Sequence, residues 1–241
     1  MVSLDANEKK LMSVKTTQIS VDAFLNELSM RPSKFQESSK GRLIYAMDAT
    51  ASRQPSWDTA AQIQGEMFSV TSDLGGLAIQ LAFYRGFGEF KVSQWTDNGS
   101  EMARLMSSVN CLAGETQILK ILKHALNETL KAKVDAVVFV GDCMEEDVDE
   151  LGHLAGELGL VGLPVFIFQE ANDPIASFAF QQIAKLSGGA CVQFDRASAF
   201  TLKKLLGAIA IYAAGGRDAL KILAKSQGGV ARQISNQMKP S

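Results

Sequence analysis

Residues 134–140, which read VDAVVFV, decide the fold of this chain and are followed at once by Gly141 and Asp142. Their nearly continuous run of apolar and β-branched side chains is typical of a parallel strand that is covered on both faces of a sheet. Short apolar runs lie on either side of this segment, and they alternate with longer stretches of helical periodicity. This alternation predicts βαβ units and therefore a mostly parallel sheet.

Outward from this segment, the same pattern predicts about six strands, most of them followed by a helix. We predict strands at residues 42–47, 77–84, 90–95, 134–140, 163–168 and 190–194, with 90–95 at an edge of the sheet. We predict helices at residues 57–70, 101–109, 116–132, 145–158, 175–186 and 199–214. Right-handed crossovers place helices on both faces of such a sheet. The predicted fold class is therefore α/β, a doubly wound, Rossmann-like domain.

By composition the chain divides into three parts. Residues 1–40 hold a predicted short helix at 21–30, capped by Ser20, and a polar linker that contains Pro32. Residues 41–215 form the predicted α/β domain, which ends at the helix stop Gly215-Gly216. Residues 216–241 are predicted to form a C-terminal helix and tail.

Composition and charge argue against several classes of partner. The chain of 241 residues is 46% hydrophobic and has a net charge of −2, an ordinary balance for a globular protein. It has no Lys/Arg cluster for a nucleic acid and no run of ~18 apolar residues, so we expect neither a nucleic-acid partner nor a membrane span. The cysteines Cys111, Cys143 and Cys191 are far apart, and with two histidines they form no zinc pattern. These features favour a reduced, cytoplasmic compartment.

Oxygen-bearing side chains follow two predicted strands and open one predicted helix. Asp48, Thr50 and Ser52 follow the first strand, Asp142 follows residues 134–140, and Thr116 opens the helix at 116–132. In doubly wound sheets ligands bind beyond the carboxyl ends of the strands, where the strand order reverses. Carboxylate and hydroxyl oxygens suit Mg²⁺, Mn²⁺ or Ca²⁺ and do not suit soft metals. The sequence therefore predicts a divalent-cation site at this edge.

Order, spacing and strand context of these residues resemble the metal-ion-dependent adhesion site of von Willebrand factor type A domains. The resemblance covers roughly residues 41–214. The family usually has Asp-x-Ser-x-Ser in the first loop, and Thr50 keeps the hydroxyl of the middle position. The last Asp of the family is often followed by Gly, whereas Cys143 follows Asp142 here.

The resemblance implies a role for each of the five residues. Thr50, Ser52 and Thr116 would supply hydroxyl oxygens, and Asp48 and Asp142 would bind the metal directly or through water. Mg²⁺ prefers six oxygens in a near-octahedral array and keeps water readily. One position would stay open, and in the family a Glu or Asp of a partner protein fills it.

What the family implies is a metal-dependent protein-binding module and not an enzyme. Intracellular relatives commonly act in multiprotein assemblies, often with AAA+ ATPases or chaperone-type machines, and we expect the same class of partner. Two alternatives remain at this point. A Mg²⁺-dependent phosphatase on a similar sheet would need Asp-x-Asp, but Thr50 occupies the second position. A structural domain with a vestigial metal site is the other, and Cys143 keeps it open.

Several of these residues also have simpler interpretations. Asp48 and Asp142 are compatible with helix caps or strand-end turns, and Thr116 with a helix cap. The acidic run at residues 145–150 is typical of a solvated first helical turn. For Phe87, packing in the core is the expectation.

Overall fold

A six-stranded sheet forms the centre of the part of the chain that the structure describes. The computed structural model describes residues 40–63, 67, 70–71, 74–195 and 198–238, so the predicted helix at 21–30 lies outside the described residues. The strands are β1 (Gly41–Asp48), β2 (Leu77–Arg85), β3 (Glu89–Val92), β4 (Ala136–Gly141), β5 (Val165–Glu170) and β6 (Ala190–Phe194). Their order is β3-β2-β1-β4-β5-β6, and only the β2–β3 pair is antiparallel among these described strands. The predicted mostly parallel sheet is confirmed.

Helices connect the strands on both faces, as predicted. The described α-helices are α1 (Gln54–Ile63), α2 (Gly99–Ser107), α3 (Ile118–Lys131), α4 (Val148–Leu160), α5 (Pro174–Ser187), α6 (Ala199–Gln227) and α7 (Gly229–Gln237). A single 3-10 turn, Ala51–Arg53, connects β1 to α1. Among the described residues, no helix is both long and apolar enough to cross a bilayer.

Strand β1 shows how the sheet is covered on both sides. Tyr45 and Met47 belong to one hydrophobic core, whereas Ile44 and Ala46 belong to the other. All four side chains are fully buried. Because successive side chains of a strand point to opposite faces, this alternation means that each face of β1 carries its own core. The predicted doubly wound α/β class is confirmed.

Helix starts at the carboxyl edge of the sheet differ from the sequence prediction. Helix α4 begins at Val148 and not at residue 145, because the Asp147 carboxylate caps it and accepts the N–H groups of Asp149 at 2.8 Å and Glu150 at 3.1 Å. Residues 145–147 are therefore a loop. Helix α3 likewise begins at Ile118 and not at residue 116. The later start of α4 leaves Glu145 and Glu146 of the acidic run in the loop that follows Asp142.

The structure overturns one further expectation and agrees with another. Phe87 is 81% exposed, so its expected packing in the core is wrong. Helix α6 continues past Gly215 to Gln227, but Gly216 interrupts it with a φ of 70°. The interruption agrees with the helix stop predicted at Gly215-Gly216. The division of the chain at residues 40 and 215 stays a prediction.

Candidate metal centre

Strands β1 and β4 lie side by side at the point where the strand order reverses. Their register pairs Met47 with Val140, so Asp48 and Asp142 follow at the same edge of the sheet. One carboxylate oxygen from each aspartate and the sulfur of Cys143 lie within 4.8 Å of one another. The structure therefore brings together the two carboxylates on which the predicted cation site depends.

Asp48 is fully buried at the end of β1. Its Oδ1 accepts the backbone N–H of Thr50 at 2.7 Å, whereas its Oδ2 has no hydrogen-bond partner among the described residues. Burial raises the pKa of Asp48, and hydrogen bonds from Thr50 work against that rise. A buried carboxylate oxygen without a donor is costly unless a cation or a proton satisfies it. This oxygen fits a metal ligand.

The other two residues of the first loop differ in their surroundings. Thr50 is nearly buried, and its backbone N–H donates to the Asp48 carboxylate. Ser52 lies in the 3-10 turn Ala51–Arg53 and is exposed. Thr50 thus lies against the first carboxylate, whereas no contact shown for Ser52 places it there. Ligation by Ser52 stays a prediction.

Thr116 is joined to the loop that follows Asp142. Its hydroxyl donates to the Glu146 carboxylate and accepts the Glu145 N–H at 2.9 Å. Its own backbone N–H donates to the Glu145 carboxylate at 2.9 Å, and Glu146 also accepts the N–H of Ile118. Glu146 therefore caps α3 from a neighbouring loop and holds the Thr116 hydroxyl at the edge of the sheet.

The expectation for Glu145 and Glu146 was a solvated helical turn. Instead, both carboxylates accept backbone N–H groups at the start of α3. The N-terminus of a helix carries partial positive charge and unpaired N–H groups, and a carboxylate satisfies both. A pair of acids shortly after a strand-end Asp was the available signal, but the sequence does not show which helix they contact.

A buried ion pair next to the carboxylates was not predicted from the sequence. The Arg53 side chain is fully buried and makes two hydrogen bonds to the Glu170 carboxylate, one of them at 3.1 Å. The Ser56 hydroxyl donates to the same carboxylate at 2.7 Å. Burial opposes the charge of Arg53, but Glu170, Asp142 and Asp48 outweigh it, and the pKa of Arg53 is raised.

Charge at this edge of the sheet remains negative despite the arginine. Asp48, Asp142 and Glu170 carry three formal negative charges when ionised, and Arg53 carries one positive charge. The difference, three minus one, leaves two negative charges among these four side chains, and the Glu145 and Glu146 carboxylates beside Thr116 add to the negative charge. A divalent cation would offset this excess negative charge, so the donor set and the sign of the charge both fit such an ion.

Cys143 is the third member of the cluster. Burial, with the charges of Asp142 and Asp48, raises the pKa of its thiol to about 12. The thiol is therefore protonated and neutral at physiological pH in the absence of a metal. Because a thiolate rather than a thiol is the reactive form, this half-buried thiol should be poorly reactive.

Solved structures share this architecture at low sequence identity. A von Willebrand factor type A protein from Catenulispora acidiphila is similar with a TM-score of 0.58 and 13% identity, over 70% of this chain and 42% of that chain. The fold is that of a von Willebrand factor type A (VWA) domain. The VWA domain of SpRpn10 is similar with a TM-score of 0.54 and 14% identity, over 74% of this chain and 98% of that domain.

A third solved structure with a similar fold is a protein described as a membrane protein. An aerotolerance-related membrane protein from Bacteroides fragilis has a TM-score of 0.54 and 14% identity, over 69% of this chain and 96% of that chain. No protein-family model matches the sequence, and the comparison with curated proteins gives no match. The chain spans less than half the length of the Catenulispora protein. These likenesses show the VWA fold alone.

Proposed function

We propose that this VWA domain binds a divalent cation between Asp48 and Asp142 and, through that cation, an acidic group of a partner protein. VWA domains generally act as interaction modules, which supports binding over turnover. The observation that carries the proposal is the buried Asp48 Oδ2, which has no hydrogen-bond donor among the described residues and belongs to a carboxylate clustered with that of Asp142.

In this proposal each residue of the site has a defined task. Asp48 and Asp142 hold the cation, directly or through water, and the Thr50 hydroxyl completes the first loop. Thr116 contributes its hydroxyl from the start of α3, and Ser52 contributes from the exposed turn. The cation, when bound, would offer an open coordination position to an incoming carboxylate. Mg²⁺ is the expected ion because the donors are mostly hard oxygens, and Mn²⁺ or Ca²⁺ are compatible with them.

Metal dependence follows from the electrostatics of the edge. Without a cation, a partner's carboxylate would approach two excess negative charges in a partly buried site, where screening by water is weak. With the cation bound, the same carboxylate would meet less negative charge and a vacant coordination position. We infer a partner that presents Glu or Asp, in an intracellular assembly of the AAA+ or chaperone type, with the domain in the cytoplasm.

A structural VWA domain with a vestigial metal site is the second candidate, and Arg53 favours it. The Arg53 guanidinium lies 3.9 Å from the Asp142 carboxylate and already places a positive charge at the edge of the sheet. A phosphatase is disfavoured because Thr50 stands where the second Asp of Asp-x-Asp is required. The two candidates differ in whether a divalent cation binds at all.

Fluorescence anisotropy with an acidic peptide tests the proposal. The probe is a labelled pool of peptides with one fixed Glu and varied neighbours, measured with Mg²⁺ and again with a chelator. We expect binding that requires Mg²⁺ and is lost in Asp142→Asn, while Asp218→Asn, an exposed acid on α6, binds like the wild type. Equal anisotropy with Mg²⁺ and with the chelator would contradict the proposed function.

A further inference from the structure

Phe87 is an exposed phenylalanine on a tight turn between β2 and β3. Its exposed fraction is 81%, and it lies between Gly86 and Gly88, whose φ angles are 56° and 95°. Such positive φ angles favour glycine, so the two glycines let the chain reverse around Phe87. A large apolar side chain presented to water in this way loses the stabilisation that burial would give.

The turn around Phe87 is fixed from several sides. Arg85 makes two 3.0 Å hydrogen bonds to Glu89 across the base of the turn and a third, at 2.7 Å, to the carbonyl of Asn110. The Lys120 ammonium donates to the Gly88 carbonyl at 2.9 Å. These hydrogen bonds fix the backbone on either side of Phe87, so its side chain projects from a rigid turn.

A glycine contact brings the loop before α3 against the same turn. A Cβ atom added to Gly114 would lie 2.1 Å from the Gly86 carbonyl oxygen, so the two backbones touch. The Gln117 side-chain amide donates to the same carbonyl at 3.3 Å. The turn and the start of α3, where Thr116 lies, are thus in direct contact.

The turn is also a neighbour of the candidate metal centre. Asp48 pairs with Tyr84 in the β1–β2 register, and Phe87 lies three residues further on. Three residues span at most about 10 Å. Leu112 connects the loop that follows β1 to this turn. Its N–H donates to the Ala49 carbonyl at 3.0 Å, and its carbonyl accepts the Gly86 N–H at 3.4 Å. One partner segment can therefore reach both features.

Charge distinguishes the two sides of the metal centre. On the α4 side, Glu145, Asp147, Asp149 and Glu150 are all exposed. On the side of the turn, Arg85 and Lys91 both pair with Glu89, and Lys120 contacts Gly88. Even when the exposed Glu115 is counted, three cations against two acids leave one positive charge. Like-charge contacts are unfavourable in an interface, so an acidic segment is favoured over the turn.

We propose that Phe87 is an apolar anchor for the same partner whose carboxylate completes the metal centre, which makes the preferred ligand an acidic segment with an apolar residue close to its Glu or Asp. The inference rests on the proposed function and adds the specificity of that site. Binding hot spots are typically aromatic residues held on rigid supports, and they account for much of an interface's energy.

Two peptide pools and two matched variants test the anchor. Both pools have one fixed Glu; its flanking positions are Leu in the first pool and Ser in the second. With Mg²⁺ present, we expect the wild type to bind the Leu pool about tenfold more tightly than the Ser pool. Phe87→Ala should lose this preference and Phe87→Leu should keep part of it. Phe178→Ala, a control on α5 that is 58% exposed, should behave like the wild type.

The outcomes separate the anchor from the metal site. If Phe87→Ala keeps Mg²⁺-dependent binding of the Ser pool but loses the preference for Leu, the anchor is supported. If the wild type binds both pools equally, or Phe87→Ala keeps the preference, the anchor is wrong while the proposed function stands. If binding of both pools is the same with Mg²⁺ and with chelator, the proposed function fails, and the anchor fails with it.

Discussion

The guanidinium of Arg53 lies 3.9 Å from the carboxylate of Asp142. The same guanidinium pairs with Glu170 at the end of β5. In the sequence, Arg53 directly follows Ser52, the last of the predicted ligands after β1. The ends of β1, β4 and β5 are therefore joined by one buried charged side chain. This arrangement links the edge of the sheet through Arg53, so removing that side chain should disturb all three strand ends.

Replacing Arg53 with Met should destabilise the protein strongly. Breaking a buried ion pair from one side leaves the other charge without compensation, which costs about 3–5 kcal/mol. Arg104, an exposed residue of α2, provides the control, and Arg104→Met should change the free energy of unfolding by less than about 0.5 kcal/mol. Urea denaturation monitored by circular dichroism measures both values.

The double variant Arg53→Met/Glu170→Met checks the cause. Replacing both partners of a buried pair with apolar residues is often nearly neutral. We therefore expect the double variant to recover most of the stability that Arg53→Met loses. A double variant that is less stable than Arg53→Met alone would show that the pair is not the reason for the loss.

Removing the Glu146 side chain should detach the start of α3 from the β4–α4 loop. Glu146 accepts hydrogen bonds from the Thr116 hydroxyl and the Ile118 N–H. Because loss of a helix cap costs about 0.5–2 kcal/mol, we expect Glu146→Ala to lower the free energy of unfolding by about that amount. Glu157→Ala, whose surface pair with His153 contributes little, is the matched control. Equal stabilities of the two variants would contradict the capping role.

The central strands and the two metal-site aspartates could be predicted because each depends on local pattern. Residues 134–140 are apolar except for Asp135, as expected of a strand with a core on each face. Asp48 and Asp142 each follow such a strand, and parallel strands bring their carboxyl ends to one edge. The strand order then places the two aspartates next to each other, because β1 and β4 are neighbours at the reversal of strand order.

Arg53 and Glu170 could not be paired from the sequence because 117 positions separate them. Charged residues such as these are usually exposed. Both are buried here because β4 and β5 are neighbours and because the turn after β1 brings Arg53 to the end of β5. A Glu two residues after an apolar run was the available signal. Phe87 was missed for the converse reason: an apolar residue is expected inside, and its exposure depends on how Gly86 and Gly88 turn the chain.

The Cys143 thiol should react slowly with alkylating agents in the metal-free protein. Its pKa is raised to about 12, so the thiolate fraction is very small at neutral pH and grows about tenfold for each unit of pH below that value. We expect the rate of iodoacetamide labelling at Cys143, followed by peptide mass spectrometry, to rise about tenfold between pH 7.5 and pH 8.5 and to stay far below that of a free cysteine peptide. A labelling rate close to that of the peptide would contradict the raised pKa of this half-buried thiol, which lies beside Asp142 and Asp48.

Isothermal titration calorimetry with Mg²⁺ on the metal-free protein tests the central claim most directly. The account predicts one saturable site in the wild type and in the Asp218→Asn control, and no measurable heat of binding in Asp48→Asn or Asp142→Asn. Circular dichroism spectra of all four proteins establish that each is folded. Saturable binding that persists unchanged in Asp48→Asn, or the absence of binding in the wild type with Mg²⁺ and Mn²⁺ alike, would contradict the claim that these two aspartates hold a cation.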